Sequence, residues 1–356
     1  MRRCVQLLVS MVFTAGAQAG DPVRRHALPE GAMAPDVAVQ GQAVHVTYGL
    51  SGDAWYQRSE DGGRTFGAPV RVNDRAGDVL SGLERGPRLA LGGDGTVHVV
   101  WSPERLLGVR YARRTAGQDE FEAARDLRYE GAEAAEGVAV AAHERAVLVV
   151  WLDGKSGEPA NSPVGLPLWG RVSRDGGATF EPAAALAHDY GGGACACCHL
   201  SAATDADGRF VVAFRGARGG VRDVFALRGD RTGQRFASLR LTRDEWQLRG
   251  CPMDGPRITR AGEGLLVSHS VDGRVGWSEL RGGRAREPVR PGEARGKFPL
   301  VLRSERAVCL AWLEGGEWRW VVQPRGAEPV EGTLDLPAGS RAAGFVDGEG
   351  GFVLVG

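Results

Sequence analysis

The residues best suited to chemistry lie in two short segments. One runs Tyr190-Gly-Gly-Gly-Ala-Cys195-Ala-Cys197-Cys198-His199, and the other runs from Trp246 to Arg257 around Cys251. Thiols beside an imidazole and a thioether open three chemistries. Disulfides could staple the two segments together, with Cys309 left as the unpaired thiol. A metal–thiolate site could draw on Cys195, Cys197, Cys198, His199, Cys251 and Met253, a sulfur and nitrogen donor set that suits copper(I) or zinc. Cys195-x-x-Cys198-His199 also has the attachment spacing of c-type haem, with Met253 as a candidate distal ligand. Charged groups accompany the sulfurs: Arg215, Arg222, Asp223, Asp254 and Arg257, with Arg88 further upstream. Guanidinium forks match carboxylates, so these arginines are candidates to hold an acidic sugar, with Asp223 or Asp254 as the acid.

Strands must position these groups, because helical periodicity is nearly absent. Short apolar runs recur, each bounded by Gly, Asp or Ser clusters. The clearest run ends on a ring: Val44 to Tyr48, Val97 to Trp101, Val147 to Trp151, Phe210 to Phe214, Leu265 to His269 and Val308 to Trp312. Successive ring residues are 43 to 63 apart. A shorter strand precedes most runs across a Gly/Asp turn, as at Arg88 to Leu91 and Leu200 to Thr204. A period near 50 holding three or four strands is the length of one propeller blade. A lone blade leaves apolar faces in water, and stacking blades around an axis buries them. Ala342 to Val346 and Gly351 to Val355 supply a seventh inner pair without outer strands. Pro22 to Leu28 resembles the outer strand Pro69 to Val72 and is expected to close that last blade.

Two segments match one another closely: Ser59-Glu60-Asp61-Gly62-Gly63-Arg64-Thr65-Phe66 and Ser173-Arg174-Asp175-Gly176-Gly177-Ala178-Thr179-Phe180. Gly229-Asp230 to Phe236 looks like a decayed third copy. The pattern Ser-x-Asp-x-Gly-x-Thr-aromatic is the Asp box, and here the chain resembles the sialidase (BNR-repeat) superfamily. The resemblance implies an all-β propeller of six or seven blades, seven by repeat count. It also implies that the boxes (Ser59, Asp61, Gly63, Phe66; Ser173, Asp175, Gly177, Phe180) are structural turns far from the site. True sialidases carry an arginine triad, an acid/base Asp and a Tyr nucleophile assisted by Glu. The early Arg-Ile-Pro motif is not found: Gly86-Pro87-Arg88-Leu89 and Gly255-Pro256-Arg257-Ile258 carry Pro and Arg in reverse order. Tyr48, Tyr56 and Tyr111 sit inside strand runs. The sulfur segments resemble an exported sialidase-like subgroup with a Cys-x-Cys-Cys run, a likeness that assigns no activity.

Cys198-His199 leads into the innermost strand of the fourth repeat, and Cys251 into that of the fifth. The four sulfurs are therefore expected to meet near the propeller axis, on the face where ligands bind. Two functions follow as alternatives. One is a binding propeller whose axial Cys/Arg site takes a glycan, small ligand or protein partner; the other is a glycosidase of the exo-α-sialidase type. His45, His98 and His269 lie in strands and are expected to be packed. Trp101, Trp151 and Trp312 are expected between blades.

Residues 1–19 read as a signal peptide: Arg2 and Arg3, an apolar stretch from Val5 to Ala15, then Ala17-Gln18-Ala19 for cleavage. This predicts a periplasmic or secreted protein, a single propeller domain over 20–356, and no membrane span after cleavage. Without Arg2 and Arg3, 42 basic residues face 44 acidic ones, a net charge of −2. That balance gives no electrostatic ground for a nucleic-acid partner.

Overall fold

The computed structural model describes residues 21–104, 108–130, 132, 135–154, 165–230, 232–337, 339 and 341–356. The segment read as a signal peptide lies outside them. The described chain is nearly all β, with one short 3-10 turn at Arg218–Gly220. Among the described residues, no helix is long and apolar enough to cross a membrane.

Seven sheets radiate from one axis, which settles the blade number at seven. Their innermost strands are Met33–Gln40, Arg88–Leu91, Ala135–His143, Ser201–Thr204, Arg257–Ala261, Lys297–Arg303 and Ala343–Val346. Each packs beside the next, and the seventh packs beside the first, so the ring closes. The ring-ended runs form the second strand of each blade in blades 1 to 6, and are buried almost throughout; Val97–Trp101 is buried at all five positions. Such continuous burial is expected of a strand covered on both faces, and here the second cover is the neighbouring blade. One core cluster joins Tyr56 and Val72 of blade 1 to Val99 and Trp101 of blade 2. Trp151 and Trp312 are buried in the same way, at 0% and 6% exposure.

The N-terminal strand Val23–His26 does complete blade 7. It pairs with Phe352–Val355 in parallel, as the third strand of that sheet. Its proposed counterpart Val70–Arg71 is instead an antiparallel fourth strand. The difference follows from direction: a strand arriving from the start of the chain has no hairpin to turn it round.

The two Ser-x-Asp-x-Gly-x-Thr-aromatic turns join the third and fourth strands of blades 1 and 3. Asp61 accepts from the Arg64 and Thr65 amides and from both hydroxyls, Ser59 and Thr65. Asp175 accepts from Thr179 N, Thr179 Oγ1 and Ser173 Oγ in the same pattern. The decayed copy keeps this role through Asp230, which accepts from Thr232 and Gln234. Each full turn also bonds blades together. Phe66 stacks on His26 of blade 7 at 4.0 Å, and Phe180 meets Tyr111 of blade 2 edge-on at 5.0 Å. Gly177, with φ of 75°, lies so close to Tyr111 that a Cβ would fall 1.8 Å from the phenol oxygen.

Candidate functional site

The innermost strands line the axis and all run the same way along it, so every segment that enters an innermost strand arrives at the same face. The geometry there is a buried polar knot. Glu84, between blades 1 and 2, sends its Oε2 across the axis to accept from the amide of His199 (3.1 Å), from His199 Nδ1 (2.7 Å) and from the amide of Gly255 (2.8 Å). One carboxylate thus ties the entry of blade 2 to the entries of blades 4 and 5. Arginines make the remaining ties to backbone carbonyls. Arg88 donates to Ala34, Glu84 and Pro87, and Arg257 to Pro35 and Ala342 with Asp36 alongside.

A cavity of about 560 Å³ runs along the axis from this knot. Its inner end is lined by Asp36, Arg88, His199, Arg257 and Arg341, and its outer end by Gln40, Gly93, His143 and Glu144. The four residues at the outer end are exposed, whereas Arg88, His199, Arg257 and Arg341 are buried. The cavity therefore opens on the face where innermost strands end. A wider cleft of about 680 Å³ between the turns of blades 5 to 7 shares Arg303 and Val346 with that mouth.

The protonation states follow from burial and neighbours. Burial, then the charge of Arg341, pulls the His199 imidazole down to about 3, so the ring is neutral. Its Nδ1 proton goes to Glu84, and Nε2 is a buried acceptor with no partner among the described residues. Burial alone would raise the Glu84 carboxyl, but His199, Arg341 and the Gly255 amide outweigh it and hold it well below the usual range. Burial and repulsion from Arg341 lower Arg257 to about 9 and Arg88 to about 10. Both stay cationic at neutral pH. Burial and the Glu84 charge raise the Asp254 carboxyl to about 7.

The sulfurs do converge, one layer behind this floor. Cys197 and Cys251 form a disulfide with Cα atoms 6.4 Å apart. The sulfurs of Cys195, Cys198 and Cys251 lie within 4.8 Å of one another. A second disulfide, expected on the stapling reading, is not formed: Cys195, Cys198 and Cys309 are all free thiols, so Cys309 is not the sole unpaired one. Cys309 lies in the interior of blade 6, where burial pushes its thiol up to about 12.

Of the six candidate metal ligands, the sulfurs of Cys195, Cys198 and Cys251 come together, but the full set does not. Cys251 and Cys197 are spent on each other, and His199 turns its Nδ1 to Glu84. Met253 meets the cluster through its amide, which donates to Cys251 Sγ. A haem does not fit either. Cys195 and Cys198 are each 2% exposed, Ala194, Ala196 and Leu200 around them belong to the core, and neither cysteine lines the axial cavity.

The other expected site residues divide. Arg257 and Arg88 reach the cavity floor. Arg215 does not: it donates to the carbonyls of Asp254, Arg222 and Ser270 and lies against Trp246. Arg222 donates to Ala217 and Gly250. Asp223 is bound to Arg240 at 2.5 Å and to the amide of Glu245. Asp254 accepts from the Phe298 amide, and neither aspartate lines the cavity. The sequence reading missed Glu84, Asp36 and Arg341. One signal for Glu84 was present: Glu84-Arg85-Gly86-Pro87-Arg88 and Asp254-Gly255-Pro256-Arg257 share an acid before Gly-Pro-Arg at the entry to an innermost strand.

No family model matches the chain, and no curated protein does. Solved structures do. A protein of unknown function from Dyadobacter fermentans DSM 18053 superposes with a TM-score of 0.53 and 15% identity, covering 85% of this chain and 93% of that one. The α-L-arabinofuranosidase Arb93A of Fusarium graminearum gives 0.52 and 12%, covering 83% and 93%. A Hadza microbial sialidase gives 0.51 and 12%, covering 86% and 69%. At such identities the likeness speaks for architecture, and the chain has the sialidase-like β-propeller fold.

Proposed function

We propose that this chain is an exported binding propeller that takes a small acidic sugar or related carboxylate in its axial cavity without hydrolysing it. One observation carries the reading. The closed end of the cavity sets three guanidinium groups, Arg88, Arg257 and Arg341, beside a buried histidine acceptor with no hydrogen-bond partner among the described residues. The guanidinium donors of Arg88 and Arg257 are largely engaged with carbonyls, so these two act through their positive field. His199 Nε2 is the group that accepts a ligand hydroxyl.

Binding is favoured over hydrolysis because, among the described residues, the cavity lining contains no tyrosine to serve as nucleophile. Tyr56 and Tyr111 are instead buried against His45 and His98, while Tyr129 stacks on Trp169 and Tyr190 packs on Phe225. The glycan-acting names among structural neighbours support a sugar as ligand class. The Cys197–Cys251 disulfide supports an oxidising compartment, periplasmic or extracellular.

Calorimetry with N-acetylneuraminate, glucuronate and neutral arabinose tests the reading, alongside a fluorogenic α-sialoside assay. Saturable binding of an acid sugar is expected, with none of arabinose and no turnover. Ala202→Trp, on the cavity wall, should abolish binding, with circular dichroism checking that the fold is retained. Turnover that Ala202→Trp removes would make the protein a hydrolase. Failure of both acids to bind would remove the acidic-sugar reading.

A further inference from the structure

The sulfur cluster is independent of the sugar reading and has chemistry of its own. Cys195 Sγ lies 3.8 Å from Cys251 Sγ, one of the two sulfurs of the Cys197–Cys251 disulfide. Cys195 and Cys198 are the ends of a turn closed by Cys198 N donating to Cys195 O, which brings their sulfurs to one side. Both are buried, whereas Cys197 and Cys251 are half-buried at the surface of the same cluster. A reduced pair inside therefore touches an oxidised pair outside.

We propose that the four cysteines form a thiol–disulfide exchange site, in which the buried Cys195/Cys198 dithiol reduces Cys197–Cys251 and so presents two thiols toward solvent. In the first step the Cys195 thiolate attacks Cys251 Sγ. A Cys195–Cys251 bond forms, the Cys197–Cys251 bond breaks, and Cys197 leaves with the electron pair. In the second step the Cys198 thiolate attacks Cys195 Sγ, forming Cys195–Cys198 and releasing the Cys251 thiolate. Two protons pass from the inner pair to the outer one. One disulfide and two thiols remain, so the exchange needs no outside oxidant or reductant.

The surroundings suit each step. A hydrogen bond from Cys198 and the charges of Arg222 and Arg215 bring the Cys195 thiol down to about 6, which makes it the attacking sulfur. Burial keeps the Cys198 thiol protonated until its neighbour has reacted. The Met253 amide donates to Cys251 Sγ at 3.3 Å, in place to receive the charge of the thiolate released there. The solvent-facing dithiol thus formed is a reagent for external disulfides.

The test traps the outer pair. The mature protein is poised at three thiols per chain, using one equivalent of a phosphine or of oxidised glutathione as required. It is then held in native buffer with iodoacetamide for hours, quenched in acid and mapped by mass spectrometry without reduction. The expected product carries alkyl groups on Cys197 and Cys251 and a Cys195–Cys198 disulfide. The Cys198→Ser variant, blocked at the second step, should accumulate Cys195–Cys251 with Cys197 alkylated. Wild-type protein that keeps Cys197–Cys251 intact overturns the proposal, as does direct alkylation of Cys195 and Cys198. Because the wild-type map decides by itself, a variant that fails to fold does not shield the idea.

Discussion

Replacing Glu84 is expected to do more damage than replacing any single surface charge, and the structure sets the size. Its side chain is buried, and one oxygen takes three donors from segments 115 and 171 residues away. In Glu84→Ala all three donors lose their acceptor where water is scarce. A buried unsatisfied donor costs about 1–3 kcal/mol, so the variant should lose roughly 3–9 kcal/mol against a typical domain stability of about 5–15 kcal/mol. Glu84→Gln keeps an oxygen in place and loses only the charge assistance, worth about 1 kcal/mol per bond, so it should lose roughly 3 kcal/mol. Urea denaturation followed by tryptophan fluorescence measures both. The depressed carboxyl adds a pH signature. A group whose folded pKa is below its unfolded value stabilises above the unfolded value and stops doing so as pH falls through the folded one. The gap between wild type and Glu84→Gln should therefore hold above about pH 4.5, the ordinary Glu value, and narrow in stronger acid. A Glu84→Ala variant within 1 kcal/mol of wild type, or one no worse than Glu84→Gln, would refute the argument that this carboxylate ties the entries of three blades together.

Asp254 has the opposite sign: its folded carboxyl is raised to about 7, so stability is fully present below about pH 4 and declines as pH rises through 7. Asp254→Asn should gain on wild type across that range in thermal melts, and a constant gap from pH 5 to 8.5 would contradict the raised carboxyl. Burial lowers His26, His45 and His98 to about 4 and His199 and His269 to about 3. The unfolded chain takes those protons first, so stability should fall steadily from pH 6.5 toward 4, and a flat melting temperature there would rule this out. Asp175→Ala should lower the melting temperature by loosening the turn that holds blade 3 on blade 2, while sugar binding at the axis stays unchanged. Lost binding at an unaltered melting temperature would place that turn in the site.

The propeller was legible in the sequence because its causes are local and repeated. Strand alternation, Gly/Asp turns and a period near 50 residues each report the same unit, and the Ser-x-Asp turns announce their own hydrogen bonds. The meeting of Cys251 with the Cys195 run was legible too, since both segments enter adjacent innermost strands. The repeat count already favoured seven blades, and closure of the ring, with Met33–Gln40 packed beside Ala343–Val346, decided seven over six. The roles of single charged residues were not legible. Arg215 and Arg257 look alike in sequence, yet one is buried in carbonyls behind the floor and the other faces the cavity. Glu84 gains its importance only when residues 115 and 171 positions away arrive at its oxygen. The division between one disulfide and two thiols depends likewise on which sulfurs face each other across a few ångströms. Periodic patterns specify a fold through many weak, redundant signals, whereas a site is a single convergence of distant side chains, and only the closed ring brings it about.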